Sequence, residues 1–388
     1  MRRRHDARPC LYIAALVAAL TPLLGCGEPA RASAATGARD ARDARPADAA
    51  AQLPAAAASG PEAAPPRVRM VATGGTISNR RGGRLTAQEL VRALPGVERY
   101  VRPEFEQFAN TSSASLTLAQ WLELARRLNT LYRSDPDLAG LVVTSGTDTL
   151  EELAWFLHLT VRDPRPVVVT GAMRTPDQAA PDGEANLLAA FRVAADPDAR
   201  GRGVLVVLND EIHTARDVTK SDAQRLHTFV ERAGGRLGVV DQDRVIFSRS
   251  IATRHTVASE FDVFAIDALP RVDVLLVYQG ADGDLVKAAV DLGARGIVLA
   301  TAGAGAMSGT QRDGVRYALE QGRPVVFTTR AGAGRVPAQR PSGAGAGPAS
   351  TPRIGGEDHT PVKARVLLML AIAAGLPADD LQRVFTEY

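Results

Sequence analysis

The chain has 388 residues, with 46 Lys and Arg against 43 Asp and Glu, a formal charge of +3 and two cysteines. Four of the Arg and one of the acidic residues lie in residues 1–25, so the remainder balances at 42 of each sign. Nothing in that balance argues for a nucleic-acid-binding footprint.

Residues 1–26 read as a targeting segment. Arg2, Arg3, Arg4 and Arg8 make a basic start, and Leu11 to Leu24 is apolar but short for a membrane span. The run ends Leu23-Leu24-Gly25-Cys26. This ending resembles a bacterial lipobox, in which Cys26 becomes the lipidated first residue of an exported, periplasmic or cell-surface lipoprotein. A plain secretory signal cut near Gly25 is the alternative. Because Cys10 lies in the part removed, the mature chain has no internal disulfide, and its core must hold the fold. Residues 27–66, rich in Ala, Arg, Asp and Pro, carry almost no large apolar side chains and read as a disordered tether. No later segment is long and apolar enough to cross a membrane. The globular part is residues 67–388, roughly two domains' worth of chain.

That part opens with Val68 to Ala72, a short apolar, β-prone run that stops at Thr73-Gly74-Gly75-Thr76. A buried strand ending in two glycines delivers its next side chain to the carboxyl edge of a sheet, where ligands of open α/β sheets bind. Thr76 is then a hydroxyl on a tight turn near backbone N–H groups, which suits a nucleophile beside an oxyanion site; an ordinary strand-to-loop turn is the alternative. A polar loop follows. Thr86 with Glu89 forms a capping box, and Thr117 caps a helix whose Leu118, Trp121, Leu122, Leu124, Ala125 and Leu128 recur at helical spacing.

Next come a strand from Leu138 to Thr144, a helix from Leu150 to Leu159, a strand from Pro166 to Thr170, a helix from Asn186 to Ala195 and a strand from Gly203 to Leu208. The alternation predicts a parallel sheet flanked by helices on both faces. Strand ends at Thr76, Thr147 and Ala172 then share one edge. The second half repeats the rhythm in a smaller parallel-sheet domain, with strands at Val272–Tyr278, Gly296–Ala300 and Pro324–Thr328. Its helices are expected at Ala288–Leu292, Ser308–Glu320, Thr360–Ala374 and Leu381–Phe385. The fold class is therefore α/β in two domains, 67–255 and 271–388. Residues 256–270 serve as connector and the Gly-, Ala- and Pro-rich residues 331–356 as a long loop.

Lys220 stands out because only three of the 46 basic residues are Lys: Lys220, Lys287 and Lys363. Arg cannot lose its proton, whereas a desolvated Lys can; a surface Lys left by chance is the alternative. Asp148, following Thr147 at a strand end, is either the N-cap of the next helix or the charge partner of such a Lys. A Thr–Asp–Lys set would let the amine polarise a hydroxyl while the carboxylate balances it, and Asp148 could also take a substrate ammonium. No spacing suits a metal, and His213 and His227 beside Lys220 read as surface or packed residues. Gly74-Gly75 lacks the third glycine of a dinucleotide-binding turn.

Five segments taken together resemble the motifs of the bacterial-type L-asparaginase family, in order and spacing, over residues 67–388. They are Thr73-Gly74-Gly75-Thr76-Ile77, Gly146-Thr147-Asp148-Thr149, Gly171-Ala172-Met173-Arg174, Ala215-Arg216-Asp217-Val218-Thr219-Lys220 and Lys363-Ala364-Arg365-Val366-Leu367-Leu368. The exported type II members are the nearest. The resemblance implies hydrolysis of L-asparagine, and often L-glutamine, to the acid and ammonia without metal or cofactor. It implies Thr76 as the attacking residue and Thr147, Asp148 and Lys220 as a second-threonine triad. Ser113 would bind the substrate α-carboxylate, Asp148 its α-amino group, and the Ala172 carbonyl would lie near the leaving amide. A homotetramer built as a dimer of dimers is implied, with Asp282 contributed by the neighbouring subunit.

Several positions depart from the family pattern. Ala114 follows Ser113 where type II members carry Gln or Glu, which should change substrate recognition. The loop after Ile77 is short, and no tyrosine matches the one that assists the attacking threonine; Tyr100 lies beyond the following helix. Residues 331–357 offer no match for a glutamate donated by the neighbour. These departures leave two rival readings, an amidase for another small amide and an amino-acid-binding relative without turnover.

Overall fold

The computed structural model describes residues 64–338 and 353–388. The expected signal segment with Cys26, residues 27–63 of the expected tether and residues 339–352 of the expected loop lie outside the described residues. The described residues form one compact unit.

Its first part runs β1 (Arg67–Gly74), a short hairpin of β2 (Asn79–Arg80) and β3 (Gly83–Arg84), α1 (Ala87–Arg92), β4 (Arg102–Thr111), α2 (Leu118–Ser134), β5 (Leu138–Thr144), α3 (Leu150–Thr160), β6 (Val167–Thr170), α4 (Gly183–Ala195) and β7 (Val204–Leu208). Five short strands follow: β8 (Glu211–Thr214), β9 (Val218–Lys220), β10 (Phe229–Glu231), β11 (Gly238–Val240) and β12 (Val245–Phe247). The main sheet has the order β12-β11-β8-β7-β6-β5-β1-β4. From β4 to β7 every pairing is parallel; from β7 to β12 each is antiparallel. The mostly parallel sheet expected from the alternation ends in an antiparallel stretch, because β7 turns back at once through Asn209 and Asp210, both at positive φ. No helix crosses over there.

Why the sheet is buried on both faces is visible in β1. Val68, Met70 and Ala72 point to a layer with Leu90 of α1 and Leu187 and Phe191 of α4. Val71 points the other way, to Trp121 and Leu128 of α2 and to Leu153 and Phe156 of α3. Both helix starts read from sequence hold, since Thr86–Glu89 and Thr117–Gln120 each form a complete capping box.

The second part comprises β13 (Val272–Leu276), α5 (Asp284–Asp291), β14 (Gly296–Thr301), α6 (Gln311–Glu320), β15 (Val325–Thr329), β16 (Arg353–Gly355), α7 (Pro361–Ala373) and α8 (Leu381–Glu387). The four strands form a parallel sheet in sequence order. Helix α5 begins four residues earlier than its apolar residues suggested, because its first turn is solvent-facing apart from Val286. Strand β16 closes the stretch read as loop. Helix α7 is buried from Val366 to Ala371 and belongs to the same apolar cluster as α3, so it joins the two sheets. Residues 256–270 are held fast: Phe261, Val263 and Ile266 are buried, and Arg126 of α2 donates to the Val263 and Ile266 carbonyls.

Candidate active site

The parallel strands set their carboxyl ends on one edge, and close backbone approach brings the turns there together. Gly75, at φ 92°, lies so near β5's turn that an added Cβ would stand 2.3 Å from the Gly146 nitrogen. Gly146 in turn abuts Ser113, whose Oγ would lie 2.8 Å from a Cβ at 146. Gly171 packs on the Ser145 carbonyl and the Thr147 methyl. Four turns therefore converge, those bearing Thr76, Ser113, Thr147 and Ala172, three of them sequence motifs. Thr73, one turn earlier, donates to the Thr144 carbonyl at 2.7 Å and ties β1 to β5 just below them.

Thr76 opens a single 3₁₀ turn, Thr76–Ser78. No described residue forms a hydrogen bond with its hydroxyl. Thr147 is buried, and its Oγ1 accepts from Lys220 Nζ at 3.0 Å. The same ammonium donates to Asp148 Oδ1 at 2.7 Å. Asp148 does not cap α3; Thr149 occupies that position without a side-chain cap, and the Asp148 carboxylate, 78% exposed, is free to face a ligand. An open cleft of about 340 Å³ is lined by Asp148, Lys220, Ser221, Asp222 and Ala223.

Lys220 ends β9, which pairs only with β10, in a small ribbon outside both large sheets. Glu151, buried in the first turn of α3, accepts from the Lys220 N–H at 3.2 Å and from Thr219 Oγ1 at 3.1 Å. Sequence reading passed over Glu151, which looked like an ordinary acidic residue of a helix start. Ala172 is fully buried beside Ile77 and Gly183, and Asp182 accepts from the Met173 and Arg174 N–H groups that follow it.

Three of the residues singled out in the sequence lie away from these turns. Asp282 is exposed in the second part, where its carboxylate accepts from its own Asp284 N–H at 3.1 Å, and it joins no contact with Thr147 or Lys220 within the chain. Tyr100 sits on the opposite edge of the sheet from Thr76. Arg67 of β1 pairs with Arg102 of β4, so Tyr100 precedes the amino end of its strand, where Arg192 lies 4.9 Å over its ring. His213 is fully enclosed, and burial lowers its pKa to about 4; His227 is exposed. Among the described residues no group of His, Cys, Asp and Glu is arranged to hold a metal.

A polarised hydroxyl, an ammonium and a carboxylate at the tips of parallel strands, next to a second hydroxyl on a glycine turn, make up equipment for acyl transfer through an alcohol. Residues 67–253 match the asparaginase N-terminal family model, and residues 271–385 match the glutaminase/asparaginase C-terminal domain. L-asparaginase 2 of Bacillus subtilis is 38% identical over 333 residues, covering 83% of this chain and 87% of that protein. L-asparaginase 2 of Escherichia coli is 36% identical over 340 residues, covering 85% and 95%. The crystal structure of a probable cytoplasmic L-asparaginase from Campylobacter jejuni superposes with a TM-score of 0.77 at 34% identity, over 83% of this chain and all of that one. The chain belongs to the asparaginase family, alongside its bacterial type II members.

Proposed function

We propose that this chain hydrolyses L-asparagine to L-aspartate and ammonia, with L-glutamine as a secondary substrate, through an ester on Thr76. The carrying observation is the Lys220 ammonium, bonded to both Thr147 and Asp148 on the turn against which Gly75 packs. In the reaction Thr76 Oγ attacks the side-chain amide carbon, its proton passes to the leaving nitrogen, and ammonia departs. Water, oriented by Thr147 with Lys220 and Asp148, then cleaves the ester and regenerates the hydroxyl. Ser113 takes the substrate α-carboxylate, Asp148 its α-ammonium, and the Ala172 carbonyl the amide nitrogen. No cofactor enters this scheme.

The active form in this reading is a dimer of dimers in which a neighbour's Asp282 completes each site. The exposed Tyr278 and Leu285 flanking Asp282 support such a contact. The domain division stays at 67–255 and 271–388, and Cys26 anchors an exported chain to a membrane through lipid, on the strength of the leader sequence alone.

Thr76→Ala should leave the unfolding curve intact and abolish ammonia release from asparagine; full activity in that variant would refute the assignment. A second reading, a binding protein without turnover, is favoured by the Thr76 hydroxyl having no hydrogen-bonded partner. Aspartate binding to the unmodified protein with no ammonia produced from any small amide would select it. An amidase for a different small amide, suggested by the exposed Ala114, would show a higher kcat/KM on that amide than on asparagine.

A further inference from the structure

We propose that Lys363, on the buried helix of the second part, is a positioning residue for Lys220. Lys363 is fully buried in the first turn of α7. A helix N-terminus disfavours a cation, and burial pushes this ammonium down to about 8. Around it stand Glu151 of α3, Arg216 and Asp217 ahead of β9, and Arg232 after β10, none within ion-pairing distance of the ammonium among the described residues. A charge held so unfavourably is explained by what it binds. Lys363 Nζ donates to the Arg216 carbonyl at 2.7 Å and to the Val218 carbonyl at 2.5 Å. Its own carbonyl accepts from Trp155 Nε1 of α3 at 3.1 Å, which sets the start of α7 against the helix following Asp148.

Those two carbonyls belong to the segment that ends in Lys220. Strand β9 has three residues and one neighbour, the equally short β10, so neither large sheet fixes its place. Its position relative to Thr147 is set by side chains reaching it from two sides: Glu151 takes the Lys220 N–H and the Thr219 hydroxyl, and Lys363 takes the carbonyls of residues 216 and 218. Remove the Lys363 donors and one buried and one partly buried carbonyl lose this partner; the strand must shift to find others, and the 2.7 and 3.0 Å bonds of Lys220 shift with it. The second part thereby reaches into the chemistry of the first without touching substrate.

This inference rests on the reading that Lys220 serves the hydrolysis. The test compares Lys363→Met, which keeps the aliphatic volume without donors, Lys363→Gln, which keeps an N–H donor, and Lys220→Met, each in the full chain with asparagine as substrate. A misplacement near 1 Å predicts a kcat about 100-fold lower in Lys363→Met, with KM within about threefold of the parent. Lys363→Gln should recover about tenfold of that loss, a rescue that a merely structural defect would not give. A folded Lys363→Met with parental kcat, or equal losses in the Met and Gln variants, overturns the proposal. Should Lys363→Met fail to fold, Lys363→Gln decides alone, through lowered kcat at unchanged KM or through parental kcat. If Lys220→Met keeps full activity, the reading of the site fails and this inference with it. If Lys220→Met is inactive while Lys363→Met is parental, the inference alone fails.

Discussion

Gly75→Ala tests the idea that close backbone contact, rather than any single side chain, assembles the site. Gly75 sits at φ 92° and ψ −172°, a region open essentially to glycine alone, where an L side chain costs about 1–3 kcal/mol. The new methyl would also lie 2.3 Å from the Gly146 nitrogen and 2.5 Å from its Cα, backbone atoms that cannot swing aside. Forcing such atoms apart costs about 1–3 kcal/mol more, so the whole is about 2–6 kcal/mol. Gly82→Ala is the control: φ is 82°, but nothing lies within 4 Å of the added methyl, which leaves only the conformational cost of about 1–2 kcal/mol. Because the displaced turns carry Thr76 and Thr147, a shift near 1 Å should lower kcat about 100-fold in Gly75→Ala and leave Gly82→Ala unchanged. Urea unfolding and ammonia release measure both. Equal stability and equal kcat in the two variants would show that the contact between these turns is not what holds the hydroxyls together.

Two further outcomes follow from the buried polar groups and helix caps. His213 is held neutral: its pKa falls from 6.5 to about 4 through burial first and then the nearby Arg236 and Arg249. The unfolded chain therefore binds a proton that the folded chain refuses. Stability is intact above pH about 6.5 and is lost as pH falls toward 4, by about 3 kcal/mol at most from this residue. His213→Asn should flatten the pH dependence of the unfolding free energy across that window, and an unchanged slope would count against the assignment. Thr117→Ala removes the hydroxyl that accepts the Gln120 N–H at 3.2 Å, so it should cost about 1 kcal/mol in urea unfolding while leaving KM unaltered.

The sequence by itself determined what local chemistry can encode. Strands that end at glycine and threonine, helices begun by Thr86 and Thr117, and the alternation of the two are set by neighbours a few residues away. The scarcity of lysine marked both Lys220 and Lys363, although only the first had a readable role. Tertiary structure decided the rest. Strand β4 escaped notice because it lies at the sheet edge and carries Glu104 and Glu106, which pair with Arg67, Arg69 and Arg127 instead of showing an apolar alternation. Yet β4 is what carries Ser113 to the site. The antiparallel turn-back after β7 and the small ribbon holding Lys220 were likewise hidden, since strands of three or four residues carry too little pattern to read. The bonds from Lys220 to Thr147 and from Lys363 to the Val218 carbonyl span 73 and 145 residues. Contacts so distant along the chain depend on how helices and sheets pack, and only the folded protein brings those partners within reach of one another.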